Sequence, residues 1–321
     1  MVNNQNYVIG VDGGGTKTIA ALANLNGKIL KIGKSGPASP RNIGIERAME
    51  NVAKAIREIF KKIPKETQIL STFIGLPAVE EEFKFKIKEI EKELLKDKKI
   101  SPIFKGKVKI GSDQIVAFRS GSNKKDGVLL IAGTGCVAHG WRGTQEAKTS
   151  GWGWLADEGS AFWVGQRVYQ AVLKDLDGRG VKTLLRKLIF QKYKIKYKIK
   201  EDPNFLNRLI YRQKVVENLS PLSIVCDLAA KKGDKIAREI LKEAAKELLI
   251  SAKTVIKKLK FKKRKFPLVL IGGMFKSKIV LDTLKKEIRK FAPKVNFIEP
   301  KVEPVIGAVK LALEQLKNEK N

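Results

Sequence analysis

A run of small residues follows an aspartate near the start of the chain, directly after the apolar segment Tyr7–Val11. Successive glycines let backbone N–H groups approach phosphate oxygens without a Cβ in the way. The spacing matches neither G-x-x-x-x-G-K-S/T nor G-x-G-x-x-G, and taken alone it could be a glycine-rich hairpin turn. An acidic residue at a strand end could hold Mg²⁺ through water. The candidates are Asp12 for the metal and, for phosphate, Gly13, Gly14, Gly15, Thr16 and Lys17.

A second loop of the same kind, Gly133, Thr134 and Gly135, follows the apolar segment Val128–Ala132. If the chain is a duplicated unit, the two loops occupy equivalent positions and could hold a nucleotide's phosphates from both sides. This repetition makes a chance pair of hairpin turns a poorer explanation.

Asp113 follows the strand-like Val108–Ile110 and precedes the helix-like Gln114–Ser120. Aspartate is a favoured N-cap, and that structural role is one interpretation. In the other, its carboxylate accepts the proton of a substrate hydroxyl that attacks a γ-phosphate. The spacing alone does not choose between them.

The elements that must position these residues repeat along the chain. Each half opens with an apolar strand, a glycine-containing turn and a hairpin, and continues with alternating strands and helices. We therefore predict an α/β fold with an N-terminal domain at 1–121 and a C-terminal domain at 122–321. The second domain carries a helical insertion at about 160–260, and the Gly, Ser and Lys cluster near Arg119–Asp126 suits a hinge.

Composition limits the partners and the chemistry. There are 65 Lys and Arg against 33 Asp and Glu, a formal charge of +32, but the lysines are spread along helical stretches without a recognition motif. We expect a solvated basic surface rather than a specific nucleic-acid partner, with loose polyanion binding as the alternative. The single histidine excludes a metal site with several histidines, and two distant cysteines indicate neither a disulfide framework nor a zinc site. No segment is apolar enough to span a membrane, so we expect a cytoplasmic protein, for which a homodimer is a possible assembly.

Five motifs, in order, resemble those of the N-acetylglucosamine kinase and BadF/BadG/BcrA/BcrD ATPase family, within the actin, sugar kinase and Hsp70 superfamily. They are Asp12–Thr18, Asp113, Gly133–Gly135, Gly151–Ser160 and Gly272-Gly273. The resemblance spans nearly the whole chain. It implies two RNase-H-like, actin-like ATPase domains around a central ATP cleft.

The same resemblance implies roles for individual residues. Asp113 would be the catalytic base and Asp12 would serve Mg²⁺. Thr134 would belong to the second phosphate loop, and Gly272 and Gly273 would lie against the adenosine of ATP.

The residues implied for the sugar site match the family's pattern less closely than the ATP motifs do. Trp152 and Asp157 would offer an aromatic face and a carboxylate; alternatively, they are a packed tryptophan and the N-cap of the helix after Gly159. Ser39 stands where the kinases have an asparagine, with Asn42 close enough to replace it. Cys136-Val137 and Pro77-Ala78 also depart from the family's pattern, and the segment between Trp152 and Asp157 is one residue shorter than in the family.

Three functions follow from these residues. The leading hypothesis is a Mg-ATP-dependent kinase for a hydroxyl of an amino sugar, N-acetylglucosamine or a related hexosamine. The second is a BadF-type ATPase that activates a partner enzyme, although two distant cysteines do not match the clustered cysteines of an iron–sulfur site. The third is a non-catalytic sugar sensor, which the two phosphate loops and Asp113 disfavour.

Overall fold

The computed structural model describes residues 6–61, 67–79, 84–104, 107–197, 203–211 and 214–318. These residues divide into two units. The first contains the chain up to Lys125 together with the segment from Pro300, and the second is Asp126–Glu299. The expected first boundary at residue 121 lies close to this division. The expected assignment of all residues from 122 onward to one domain differs from it, because the C-terminal segment belongs to the first unit.

The first unit has a mixed sheet whose strand order is β3-β2-β1-β4-β5. The strands β1, β2 and β3 form an antiparallel meander, whereas β1, β4 and β5 run parallel. Central β1 is a continuous apolar run, as expected for a strand covered on both faces. The strands are β1 (Asn6–Gly13), β2 (Thr18–Asn24), β3 (Ile29–Ser35), β4 (Gln68–Leu76) and β5 (Lys107–Ser112).

Helices cover both faces of this sheet. On one face, α2 buries a stripe of apolar side chains at helical spacing, from Ala48 to Ile59, next to α3. On the other face, α4 and α12 bury Val116, Val305 and Val309 against β1 and β4. This burial explains why the C-terminal helix joins the first unit. The helices are α1 (Pro40–Ile43), α2 (Ile45–Phe60), α3 (Ile87–Leu95), α4 (Asp113–Gly121) and, from the end of the chain, α12 (Val305–Asn318).

The second unit has a sheet with the order β10-β9-β6-β7-β8, which repeats the arrangement of the first. Here β6, β7 and β8 form the meander, and β6, β9 and β10 run parallel. The two matching sheets confirm the predicted duplicated α/β fold. The strands are β6 (Gly127–Ala132), β7 (Cys136–Arg142), β8 (Gln145–Ser150), β9 (Phe266–Ile271) and β10 (Val295–Ile298).

Between β8 and β9 the described chain is helical, in agreement with the predicted insertion at about 160–260. Ser160 caps α5, and Asp234 caps the 24-residue α10 by accepting a hydrogen bond from Ala237 N at 2.8 Å. Among the described residues, no helix is both long and apolar enough to cross a membrane. The helices are α5 (Ala161–Leu176), α6 (Leu184–Tyr197), α7 (Pro203–Tyr211), α8 (Val215–Leu219), α9 (Leu222–Lys231), α10 (Lys235–Lys258) and, after β9, α11 (Lys278–Phe291).

Candidate functional site

The candidate residues of the first unit lie where its parallel strands end. Asp12 on β1 is paired in register with Gly75 on β4, and Gly75 is paired with Gly111 on β5. Asp113 follows two residues after Gly111, as the first residue of α4. Since parallel strands share one carboxyl edge, both aspartates lie at the same edge of this sheet, the usual place for ligands in α/β sheets.

Asp12 is a largely buried carboxyl group. Burial raises its pKa to about 6, Lys17 opposes this rise, and Glu303 adds to it. Lys17 Nζ and Glu303 Oε2 are 3.8 Å apart, and both side chains are mainly exposed. A buried carboxylate with one nearby cation is a suitable partner for a further positive charge.

The first glycine-rich loop is held by backbone hydrogen bonds. Gly14 N donates to Lys17 O at 2.9 Å, which closes the turn. Ala38 N donates to Gly14 O at 2.9 Å, which attaches the segment after β3 to the loop. That segment leads directly into Ser39, which is buried, and Asn42, which is exposed on α1. Ser39, which follows Ala38 directly, is therefore next to a residue that is bonded to the first glycine-rich loop, and Asn42 comes three residues later.

Asp113 is not an N-cap. The N-cap of α4 is Ser112, whose side chain accepts a hydrogen bond from Gln114 N at 3.0 Å. Gly75 lies close to the helix start, because a Cβ on Gly75 would be 3.4 Å from Asp113 Cα. The capping interpretation is thus wrong, and the half-buried Asp113 stays a candidate for the base.

The second glycine-rich loop connects β6 to β7 and is attached to the start of α5. Ala161 N donates to Gly133 O at 2.8 Å, and Phe162 N donates to Thr134 O at 3.3 Å. The first turn of α5 therefore holds the loop carbonyls, while the side chain of Thr134 remains exposed. This contact fixes the loop conformation without using the side chain that the family resemblance places near phosphate.

Gly272 and Gly273 lie beside this second loop. They follow β9, whose Ile271 is paired in register with Ile131 on β6. Gly272 has a φ of +123°, and a Cβ there would collide with the carbonyl oxygen of Ala132. The structure thus brings two predicted ATP-binding segments together at one edge of the second sheet.

Asp157 braces the tryptophan-containing loop. Its carboxylate accepts hydrogen bonds from Gly151 N at 2.8 Å, Trp152 N at 3.0 Å and Cys136 N at 3.3 Å. Burial raises the pKa of Asp157, and these backbone donors oppose that rise. It does not cap α5, because Ser160 does, by accepting from Trp163 N at 3.2 Å. The N-cap interpretation is therefore wrong.

Trp152 is not a packed core residue, since it is 84% exposed. The glycine-flanked loop that carries it holds two more exposed apolar side chains, Trp154 and Leu155. Trp154 makes an edge contact with Phe162 on α5, with ring centroids 5.0 Å apart. The packed interpretation of Trp152 is wrong, and its indole face is accessible to a ligand.

One glycine in each of the three loops faces open space. A Cβ on Gly15, Gly133 or Gly273 would meet no other atom within 4 Å, and these residues have ordinary φ angles. Other glycines that face open space, such as Gly44 and Gly143, have left-handed φ values that already favour glycine. Neither packing nor conformation requires glycine at the three loop positions. A ligand that approaches the backbone would require it.

Glu303 was not identified from the sequence. It pairs with Lys17 and raises the pKa of Asp12, although it lies 291 residues further along the chain by its number. The signal available was its position shortly before the closing helix α12. Spacing alone could not place it next to the first loop.

Comparison with known proteins agrees with this arrangement of motifs. The sequence model of the BadF/BadG/BcrA/BcrD ATPase family matches residues 9–312. The chain is 32% identical over 314 residues to the N-acetylmuramic acid/N-acetylglucosamine kinase of Clostridium acetobutylicum, covering 95% of this chain and 98% of that protein. It is also 32% identical over 323 residues to the N-acetyl-D-glucosamine kinase of Dictyostelium discoideum, covering 96% and 98%.

The fold is shared with a solved structure described as an N-acetylglucosamine kinase from Chromobacterium violaceum. The TM-score is 0.73 at 21% identity, covering 97% of this chain and 99% of that chain. The duplicated α/β units and their glycine-rich loops thus define a protein of the actin-like ATPase and sugar kinase fold. The chain belongs to the BadF/BadG/BcrA/BcrD ATPase family.

Proposed function

We propose that this protein is an ATP-dependent kinase that phosphorylates a hydroxyl of an amino sugar, N-acetylglucosamine or a related hexosamine. Two relatives that match nearly its full length carry kinase names for such sugars. The observation that carries the proposal is the set of glycines that face open space in all three predicted ATP loops. Their backbone is available for close approach by a nucleotide.

Each predicted ATP loop would contact a particular part of a nucleotide. Gly13–Lys17 and Gly133–Gly135 would bind phosphate oxygens through backbone N–H groups, with Thr134 adding its exposed hydroxyl. Gly272 and Gly273 would lie against the adenosine, where the absence of a side chain leaves room for a flat base.

Asp12 fits a site for Mg²⁺ that is bound chiefly through water and phosphate. Mg²⁺ keeps several waters and commonly uses one or two carboxylates together with substrate phosphates. Asp12 supplies one largely buried carboxylate, whose negative charge is only partly balanced by Lys17. The described residues contain no cluster of three or more His, Cys, Asp or Glu arranged for a metal, so an all-protein cage is not the model we favour. When bound, Mg²⁺ would neutralise charge on the β- and γ-phosphates.

Asp113 would act as the catalytic base. The sugar oxygen forms a bond to the γ-phosphorus while the bond from that phosphorus to the β–γ bridging oxygen breaks. The hydroxyl proton passes to the Asp113 carboxylate, and ADP leaves. Because α4 starts at this residue, its position is set by the end of β5 and by the Ser112 cap.

The sugar contacts would come from Trp152, Asp157, Ser39 and Asn42. The exposed indole of Trp152 offers a face for the apolar side of a pyranose ring. Asp157 would accept a sugar hydroxyl at an acceptor position that it shares with a backbone N–H, because Cys136, Gly151, Trp152 and Gly153 already donate to its carboxylate. Ser39 and Asn42 are the other two residues that we propose for contact with the sugar.

The cysteines do not support the partner-activating ATPase. Burial raises the pKa of Cys136 to about 12, and Asp157 adds to that rise. Burial likewise raises the pKa of Cys226. Both thiols are buried, and the two cysteines lie in different elements, β7 and α9, rather than in one cluster.

An ADP-release assay with a panel of sugars tests the proposal. N-acetylglucosamine, N-acetylmuramic acid and glucosamine are compared with glucose, and at least one amino sugar is expected to stimulate ADP release well above glucose. Asp113→Asn should lower kcat by roughly 10²-fold or more, the usual range for loss of a general base. Asp177→Asn, at an exposed position between α5 and α6, is the matched control and should retain full activity. Stimulation by no sugar, or full turnover in Asp113→Asn, would contradict the proposal.

The nucleotide site has its own test. Gly273→Ala should fold normally because a Cβ there meets open space. It should also weaken ATP binding by roughly 10-fold, the effect of about 1.4 kcal/mol. Unchanged ATP affinity, measured by calorimetry, would remove Gly272-Gly273 from the adenosine site.

A further inference from the structure

Arg119 is a buried arginine near the C-terminal end of α4, with its side chain only 3% exposed. Its Nε donates to Ser122 O at 3.1 Å, and one terminal nitrogen donates to Asn123 O at 3.2 Å. Both terminal nitrogens also bond to the carboxylate of Glu314 on α12, one of them at 3.1 Å. One guanidinium therefore joins three separate parts of the first unit.

These three parts flank the two places where the chain passes between the units. Ser122 and Asn123 lie just before the chain enters the second unit at Asp126. Glu314 lies on α12, which follows the return of the chain to the first unit at Pro300. Arg119 thus links the outgoing segment to the helix that follows the returning segment.

Two further contacts fasten α4 to α12. Lys310 Nζ on α12 donates to Arg119 O at 3.2 Å, and burial lowers the pKa of Lys310. Gly307 lies against the α4 backbone so closely that a Cβ would collide with Val116 O. The two helices are therefore in contact from the first turn of α12 to Glu314, on its third turn.

We propose that Arg119 is a positioning residue for phosphoryl transfer that fixes both connections between the units to the first unit. This inference rests on the proposed kinase function. The part of the first unit that Arg119 holds includes α4, whose first residue is Asp113, so the base would keep its place relative to α12 during the reaction.

Arginine is required for this role because of its geometry. Its planar group donates in several fixed directions and bonds a carboxylate with two nitrogens, which a lysine ammonium does not do. Arg119→Lys keeps the charge but loses the fork that reaches Ser122, Asn123 and Glu314 together. The substitution should thus loosen the connections without leaving an uncompensated carboxylate.

The first test is amide hydrogen exchange, which does not depend on catalysis. In Arg119→Lys, exchange should rise at least several-fold at residues 113–126 and 305–316 together, relative to the wild type. Arg57→Lys is the matched control, because Arg57 pairs with Asp97 elsewhere in the same unit. Its exchange should change only near α2 and Asp97. Unchanged exchange in Arg119→Lys, or a uniform rise across the whole chain, would overturn the proposal.

The second test separates positioning from stability. At a temperature where both variants are fully folded, Arg119→Lys should lower kcat about 10-fold or more with little change in the KM for ATP, since small displacements of reacting groups cost this much. It should also increase the ADP released per sugar phosphate formed. If Arg119→Lys folds poorly, Glu314→Gln takes its place. If Arg119→Lys and Arg57→Lys had the same kcat and the same ratio of ADP to sugar phosphate, the positioning role of Arg119 would be overturned. If exchange rises at both segments in Arg119→Lys but the wild type phosphorylates no sugar, the structural link made by Arg119 would stand and the proposed kinase function would be rejected.

Discussion

Asp12 should lower the stability of the protein at neutral pH, because its charged form is held in a largely buried position. Asp12→Asn keeps the shape of the side chain and removes the charge. We therefore expect the variant to be more stable than the wild type in the absence of Mg²⁺ and nucleotide, although it should lose catalysis.

The magnitude follows from the pKa. A rise from an ordinary 3.8 to about 6 corresponds to about 3 kcal/mol at 1.36 kcal/mol per pH unit. Since the carboxyl group retains some contact with water, we expect roughly 1–2 kcal/mol in practice. The folded protein binds the proton more tightly than the unfolded chain, so the stabilising contribution is complete below pH 4 and is lost as the pH rises through about 6. At pH 5, roughly half of the loss has already developed.

Urea unfolding of the wild type and Asp12→Asn at pH 5 and pH 8 measures this difference. The variant's advantage in free energy of unfolding should be larger at pH 8 than at pH 5. Asp177→Asn is the control, because the pKa of Asp177 is lowered by Arg179 and its substitution should give no such advantage. A variant less stable than the wild type at pH 8, or an advantage that does not change with pH, would refute the reasoning. Saturating Mg-ATP should reverse the order, because ligand binding stabilises only a protein that binds it.

Three further substitutions have expected outcomes. Gly272→Ala should destabilise the fold by roughly 2–4 kcal/mol, from strain at a left-handed φ and a collision with Ala132, as measured by urea unfolding. Asp157→Asn should lower stability by about 1–3 kcal/mol, because an amide nitrogen would face backbone donors; unchanged stability would show that the carboxylate does not brace the loop. Cys136→Ser should retain activity within a few-fold and the wild-type thiol should react slowly with iodoacetamide at pH 8, since its pKa is about 12; rapid alkylation would contradict this.

Many elements could be predicted from the sequence because their signals are local. The strand β2 (Thr18–Asn24) is followed by Asn26-Gly27, a strong turn signal that is visible in the sequence itself. The short α7, α8 and α9 were not predicted one by one within the helical stretch. The sequence shows that α12 has an apolar face but does not show which sheet covers that face. This is why its place in the first unit was missed.

The candidate site, like the fold, could be predicted only where its signals are local in the sequence. Glycine runs after apolar strands are visible in the sequence because the strand and its loop are adjacent. The ion pair of Lys17 with Glu303 joins residues that are far apart in the chain, and spacing carries no information about it. The hydrogen bonds that Asp157 accepts depend on how its own loop folds back, so its type indicated a carboxylate but not the groups it already holds.

Each predicted ATP loop combines a glycine that the fold requires with one that it does not. A Cβ on Gly13 would be 2.7 Å from Leu76, and a Cβ on Gly135 would be 2.6 Å from Asp157, whereas Gly15 and Gly133 face open space. The closely packed glycines, Gly13 and Gly135, let the loop backbone lie against neighbouring side chains. The open glycines, Gly15 and Gly133, stay at positions that a phosphate can approach. Alanine at the packed positions should therefore lower stability first, and alanine at the open positions should lower ATP affinity first. If both kinds of substitution lowered only stability, the loops would be structural turns and the nucleotide site would lie elsewhere.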